Sequence, residues 1–117
     1  MTDSIAPPAD ARLRSKADFD RVFAGGRRRQ SRYFRYTLLE TDADGARLGM
    51  AVSRRVDKRA VVRNRLRRRI RESFRIARPQ LPPLDIVVTA KPEAAAAERA
   101  QVWDDLVRFW ASLAPPT

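Results

Sequence analysis

Val62, Leu66, Ile70 and Phe74 recur at every fourth position of a segment otherwise made largely of arginine, DKRAVVRNRLRRRIRESFRIAR (57–78). That spacing returns each apolar side chain to one face of a helix and leaves the other faces cationic. The pattern predicts a helix capped by Asp57, running to Ala77 and stopped before Pro79. Upstream, Ala17, Phe19, Val22 and Phe23 stand at helical spacing behind Ser15, which can cap the chain with Asp18 in the first turn. Gly25-Gly26 supply the stop.

Residues 33–40 (YFRYTLLE) predict a strand, and 42–45 (DADG) a turn. Residues 46–54 (ARLGMAVSR) alternate Leu48, Met50 and Val52 against Gly49, Ala51 and Ser53, which predicts a second strand. The two strands are expected to pair as an antiparallel hairpin. DIVVTA (85–90) is a short apolar run suited to the centre of a sheet. Pro92 fits the first turn of a last helix whose core stripe is Trp103, Leu106, Val107, Trp110 and Leu113. Residues 1–11 lack periodicity and predict a disordered leader, leaving one domain over 12–114. The order helix-strand-strand-helix-strand-helix is that of a small α+β domain.

Charge sharpens this picture. The chain carries +11 over 117 residues. Residues 12–78 hold +15 while 79–117 hold −2, so the cations form a surface and are not spread evenly. Of the 25 basic residues 22 are arginine, the side chain that forks onto phosphate and stacks on bases. On the long helix Asn64, Arg67, Arg68, Arg71 and Arg75 share one flank, whereas Arg65 and Arg69 lie on the other side. Like charges at i,i+4 (63/67, 67/71, 71/75) each destabilise an isolated helix by a few tenths of a kcal/mol. A polyanion would relieve that repulsion. A merely solvated cationic face is the plainer alternative, and the arginine density and scarce acid argue against it.

The strands add a candidate surface. If Leu48, Met50 and Val52 join Phe34, Tyr36 and Leu38 in the core, the opposite face has a shallow floor of Gly49, Ala51 and Ser53 beside Arg35 and Thr37. Phe19 and Phe23, four apart, fit either a wall on which bases stack or the core itself. The sequence has no His and no Cys, which excludes a zinc finger, disulfides, and the usual general base and thiol nucleophile. Gly25-Gly26 lacks the GK[ST] of a phosphate loop. Asp104-Asp105 and Asp42/Asp44 read as surface and turn acids. No catalytic residue and no metal ligand is expected. With no membrane span and no signal-peptide pattern, the expected location is cytoplasmic.

The run RNRLRRRIRESFR (63–75) resembles the protein component of bacterial ribonuclease P, whose hallmark is an arginine-asparagine-arginine motif on its second helix. DFDRVF (18–23), RLGMAVSRRVDKRAVVRNR (47–65) and LPPLDIVVTAK (81–91) stand in the family's order and spacing, so the likeness spans residues 12–113. The resemblance implies a small α/β sandwich whose parallel strands are joined by a left-handed crossover through the arginine helix, related to the fold of the second domain of ribosomal protein S5. Right-handed crossovers are the default, so the hand comes from the resemblance alone.

The resemblance also implies a role. The protein is monomeric by itself and binds a large catalytic RNA. The complex is an endoribonuclease that cuts precursor tRNA at the 5′ end of the mature sequence. Mg²⁺ for the chemistry is held mainly by the RNA, and the protein holds the 5′ leader in a cleft. By position, Arg63, Asn64, Arg65, Arg67, Arg68 and Arg71 match the motif helix. Arg63, Arg67, Arg68 and Arg71 would face RNA backbone, with Asn64 orienting its neighbours. Phe19 and Phe23 match the cleft aromatics, Gly49, Ala51 and Ser53 the floor, and Arg54 and Arg55 follow on the same segment. Arg35 and Thr37 stand where some members place apolar or aromatic residues, which favours phosphate contact over stacking there. The alternative is a stand-alone structural RNA-binding protein of the ribosomal type.

Overall fold

The computed structural model describes residues 11–115, and its layout is governed by the apolar segment Leu84–Ala90, buried at every position but Thr89. A strand apolar on both faces needs a partner on each side and a layer above and below. The elements that supply them are α1 (Lys16–Gly25), β1 (Arg27–Gln30), β2 (Phe34–Glu40), β3 (Arg47–Ala51), α2 (Ala60–Ala77), β4 (Leu84–Ala90 itself), α3 (Glu93–Ala96) and α4 (Arg99–Leu113). They form a mixed α+β fold with one sheet in the order β1-β2-β4-β3. β3 runs parallel to β4, with α2 as the crossover, and the other neighbours are antiparallel.

The expected antiparallel hairpin of the second and third strands is therefore not formed. β2 pairs Phe34–Glu40 with Ala90–Leu84, and β3 pairs with the far side of β4. Joining β2 directly to β3 would leave β4 at an edge with apolar side chains in water. β1 was legible only as a basic tract. All four of its side chains are exposed, and it forms because β2 offers it a free edge.

The core lies on one face of the sheet, where Phe34, Tyr36, Leu38, Leu48, Ile86 and Val88 meet Leu66, Ile70 and Phe74 of α2 and Leu106, Phe109 and Trp110 of α4. The Tyr36 and Phe109 rings stack at 3.5 Å between centroids. A polar link at the helix–helix contact is satisfied: Trp110 Nε1 donates to Ser73 Oγ at 2.9 Å, and Ser73 Oγ donates to the Ile70 carbonyl. The α4 stripe runs one residue out of the expected phase. Val102, Leu106, Phe109 and Trp110 are buried, whereas Val107 is exposed and Trp103 is only half-buried.

Local signals fared unevenly. Ser15 caps α1 as expected, accepting from the Asp18 amide at 3.0 Å. Asp57 does not cap α2: the helix begins after Arg59, and Asp57 Oδ1 accepts instead from the Arg59 amide at 2.8 Å, closing a tight turn two residues earlier. Pro92 starts the four-residue α3, and the chain turns at Ala97 before α4. Of the expected leader, residues 1–10 lie outside the described residues, while Ala11 is fully buried.

Candidate nucleic-acid interface

The sheet face opposite the core is only partly covered, and α1 decides which part stays open. Val22 is buried against Leu13 and Val87, with Phe19 and Leu39 at the margin. Phe19 sits over Gly49 so closely that a Cβ there would lie 2.8 Å from its Cζ. Only a residue without a side chain lets this ring approach β3. A buried ion cluster pins the same helix. Asp85 is fully buried; its carboxylate accepts two bonds of 2.7 Å from Arg47 and a third of 2.7 Å from Arg21 of α1. Burial alone would raise this carboxyl's pKa, but the two guanidiniums outweigh it and hold it below the usual carboxylate value.

Beyond α1 the face forms a trough. Register places Gln30, Arg35, Thr89 and Ala51 side by side across all four strands, with Arg28 and Thr37 in the next row. With neighbouring strands about 4.8 Å apart, the floor is about 14 Å wide, room for a single strand of nucleic acid. Phe23 closes one side of a hollow of about 590 Å³ over Arg28, Gln30, Arg35, Thr37 and Thr89. It is 39% exposed, so its ring has a face available. Thr37 is buried and offers little surface to a ligand.

Phe19 and Phe23 touch at 6.4 Å between centroids, yet they serve different spaces. Phe19 lines a second hollow of about 520 Å³ with Met50, Arg12 and Arg14, and here α2 contributes Arg67 and Arg71. The segment carrying Arg12 lies along the free edge of β3, since the Leu13 amide donates to the Leu48 carbonyl at 2.9 Å.

α2 is tied to the floor by its own arginines. Arg67 donates to the Val52 carbonyl at 3.1 Å, just past Ala51, and its other amino group donates to Asn64 Oδ1. Asn64 thus orients Arg67. Arg63 donates to the carbonyls of Asp57 and Lys58, so it folds the 52–59 loop back on the helix and is half-buried. That loop exposes Ser53, Arg54 and Arg55, with Ser53 Oγ accepting from the Arg55 amide. Asp57 in the same loop is held down at about 2, first by hydrogen bonds from the Arg59 side chain and backbone.

The expected single ladder of guanidiniums is split. Arg67 and Arg71 face the Phe19 hollow, whereas Arg68 turns with Arg65 toward α4. Arg63 is spent largely on the loop. Sequence reasoning missed Arg28, Gln30 and Thr89. The basic tract was visible, but its strand character was not. It also missed Asp85 and Asp105. Asp105 is no idle surface acid, because it accepts from Ser31 Oγ and from the amides of Arg32 and Tyr33, fixing the bend between β1 and β2. Its neighbour Asp104 pairs with Arg108.

Chemically the surface can bind but offers little for bond cleavage. Among the described residues no group of three or more His, Cys, Asp or Glu could hold a metal ion. Acids beside the arginine surfaces are already engaged, Asp57 with Arg59, Asp85 with Arg21 and Arg47, Glu72 with Arg75 and Asp104 with Arg108. Among the described residues no helix is long and apolar enough to cross a membrane.

Comparison with known proteins meets this geometry. A family model described as Ribonuclease P matches residues 8–114. The chain is 37% identical over 109 residues to the ribonuclease P protein component of Thioalkalivibrio sulfidiphilus, covering 93% of this chain and 91% of that one. It is 35% identical over 102 residues to that of Coxiella burnetii, covering 87% and 84%. Among solved structures, the Staphylococcus aureus RNase P protein superposes with a TM-score of 0.82 at 30% identity, covering 90% of this chain and 98% of that one. The Thermotoga maritima RNase P protein gives 0.77 at 29% identity, covering 89% and 98%.

Proposed function

Since the chain belongs to the bacterial ribonuclease P protein family, we propose that it binds the catalytic RNA through its arginine surfaces and holds the 5′ leader of precursor tRNA in the trough. The observation that carries this reading is the row Gln30, Arg35, Thr89 and Ala51, walled by Phe23, with Arg67 anchored at the end of β3. A floor one strand wide, polar but without carboxylates, suits an extended single strand. Its bases can stack on Phe23 while its phosphates meet Arg28 and Arg35.

The protein acts as a monomer in the cytoplasm, and its work is positioning and charge neutralisation. Scission of the phosphodiester belongs to Mg²⁺ held by the RNA, and no side chain of this protein takes part in it. By crowding RNA phosphates around fixed cations, the protein lowers the Mg²⁺ concentration at which the complex folds and cuts.

The test is reconstitution of precursor tRNA cleavage with ribonuclease P RNA at low Mg²⁺, with and without the protein. Substrates carry leaders of one and of eight nucleotides. The protein should accelerate cleavage of both and favour the longer leader. Equal rates with and without it would refute the proposal. A protein effect blind to leader length would refute the trough assignment and leave RNA binding standing.

A further inference from the structure

β1 gives the core no side chain. All four of its residues are exposed, and its one neighbour in the sheet is β2. Its contribution is therefore what it presents. Arg28 and Gln30 stand on the trough face, whereas Arg29 turns to the opposite face, its guanidinium 5.5 Å from the centre of the Phe109 ring. A strand that buries nothing has little of its own to hold it in place. The connection from β1 to β2 is nonetheless braced from outside the sheet.

The Ser31 amide donates to the Phe34 carbonyl at 2.9 Å, which leaves Arg32 and Tyr33 alone between the strands. Two-residue hairpin loops favour glycine or asparagine, because the turns that match the strand twist need positive φ. This loop is Arg-Tyr, and among the described residues none has positive φ. The turn does not set its own geometry; α4 sets it. The half-buried Asp105 carboxylate accepts from Ser31 Oγ at 2.7 Å, from the Tyr33 amide at 2.9 Å and from the Arg32 amide at 3.2 Å. Lys91, just after β4, donates from Nζ to the Ser31 carbonyl at 2.8 Å. The Ser31 and Tyr36 hydroxyls share a further bond of 2.9 Å. Ser31 has a single hydroxyl hydrogen and gives it to Asp105, so Tyr36 is the donor there.

We propose that Asp105 is a positioning residue for the leader site: from α4 it fixes the β1–β2 bend, and with it the height and angle at which Arg28 and Gln30 stand over the trough. This rests on the proposed function and deepens it, by naming what sets selectivity for leader length. β1 borders the floor on the side away from β3, where Arg67 of α2 is anchored. A leader that stops short of that border never meets Arg28 or Gln30, and a leader that crosses the floor does. Binding groups displaced by about an ångström lose much of their effect, so a slack bend penalises the long leader alone.

Asp105→Asn keeps the size and one acceptor oxygen but removes the charge and sets an NH₂ group against the loop amides. In the complex with ribonuclease P RNA at low Mg²⁺, this variant should lose about five- to tenfold of the preference for the eight-nucleotide over the one-nucleotide leader, as one displaced base contact would. The loss should appear in KM for the long leader, with kcat, cleavage of the short leader and affinity for ribonuclease P RNA unchanged. In the free protein, amide exchange at residues 28–33 should quicken about tenfold while α2 and β4 stay protected. A carboxylate that served the fold alone would loosen the whole domain and slow cleavage of both leaders alike, and that result overturns the proposal. Should Asp105→Asn fail to fold, Ser31→Ala, which removes one of the three bonds to the carboxylate, is read by the same criteria. If the parent favours the long leader and the variant does so equally, the role of Asp105 falls and the trough stands. If the parent shows no such preference, the trough assignment falls and the role of Asp105 with it.

Discussion

Replacing Asp85 with asparagine removes the charge that fastens α1 to the sheet. The parent carboxylate receives three N–H···O bonds of 2.7 Å and is fully buried. Bonds to a charged group contribute about 1.5–3 kcal/mol each, and stripping one partner from a buried pair costs about 3–5 kcal/mol. Both arginines can recover water, since their side chains are 43% and 27% exposed, and asparagine retains one acceptor oxygen. Discounted for that, the loss should be about 2–3 kcal/mol, or about 10–20 °C in Tm for a domain of this size. Urea denaturation at pH 7, followed by circular dichroism, measures it.

Acid supplies a second readout of the same variant. Asp85 titrates below its unfolded value near 3.9. On acidification the unfolded chain therefore takes up this proton before the folded protein does. The stability from the cluster is complete above about pH 4 and disappears as pH falls through the depressed folded value. Parent and Asp85→Asn should thus differ at neutral pH and converge in strong acid. A gap below about 0.5 kcal/mol at pH 7, or one that stays constant down the acid limb, would show that the cluster does not hold the helix.

Other variants separate the trough from the scaffold. Phe23→Ala should weaken leader binding by about 1–3 kcal/mol, read as crosslinking or cleavage of long-leader substrate, with little change in Tm because the ring is 39% exposed. Gly49→Val would drive a side chain into Phe19, destabilising by about 1–3 kcal/mol in urea and displacing the ring, seen as altered Phe19 NMR shifts. Ser73→Ala strands Trp110 Nε1 in the core and should cost about 1–3 kcal/mol in the same denaturation assay, with RNA affinity unchanged once folded.

What the sequence revealed followed from short-range repetition. The four-residue beat from Val62 to Phe74 located α2 and its buried face, and Ser15 with Asp18 located the start of α1. Pairing partners were hidden, because alternation along 46–54 fixes which side chains share a face but not which strand lies alongside. The burial of β4 on both faces decided that choice, and it needs the whole chain to see. Arg27–Arg29 has no strand propensity of its own, so β1 could not be read locally. The four-residue periodicity of Phe19 and Phe23 suggested one wall, yet the space each lines depends on Leu13 just before the helix and on Gly49, thirty residues beyond Phe19 along the chain. The family likeness assigned Phe19, Phe23, Ala51 and Ser53 to a cleft and the arginine helix to RNA backbone. It said nothing of Asp85, whose two arginine partners come from α1 and β3.

The two borders of the sheet are protected by different means. Along β3 the stretch before α1 covers the outermost backbone, while among the described residues no strand pairs with the outer edge of β1, which carries Arg27, Arg28 and Arg29. Mutual repulsion between those side chains keeps two molecules from zipping together there. A polyanion that neutralised those arginines would therefore remove the repulsion unless it also covered the edge, so a short anionic fragment should promote self-association where a long one that spans the strand should not.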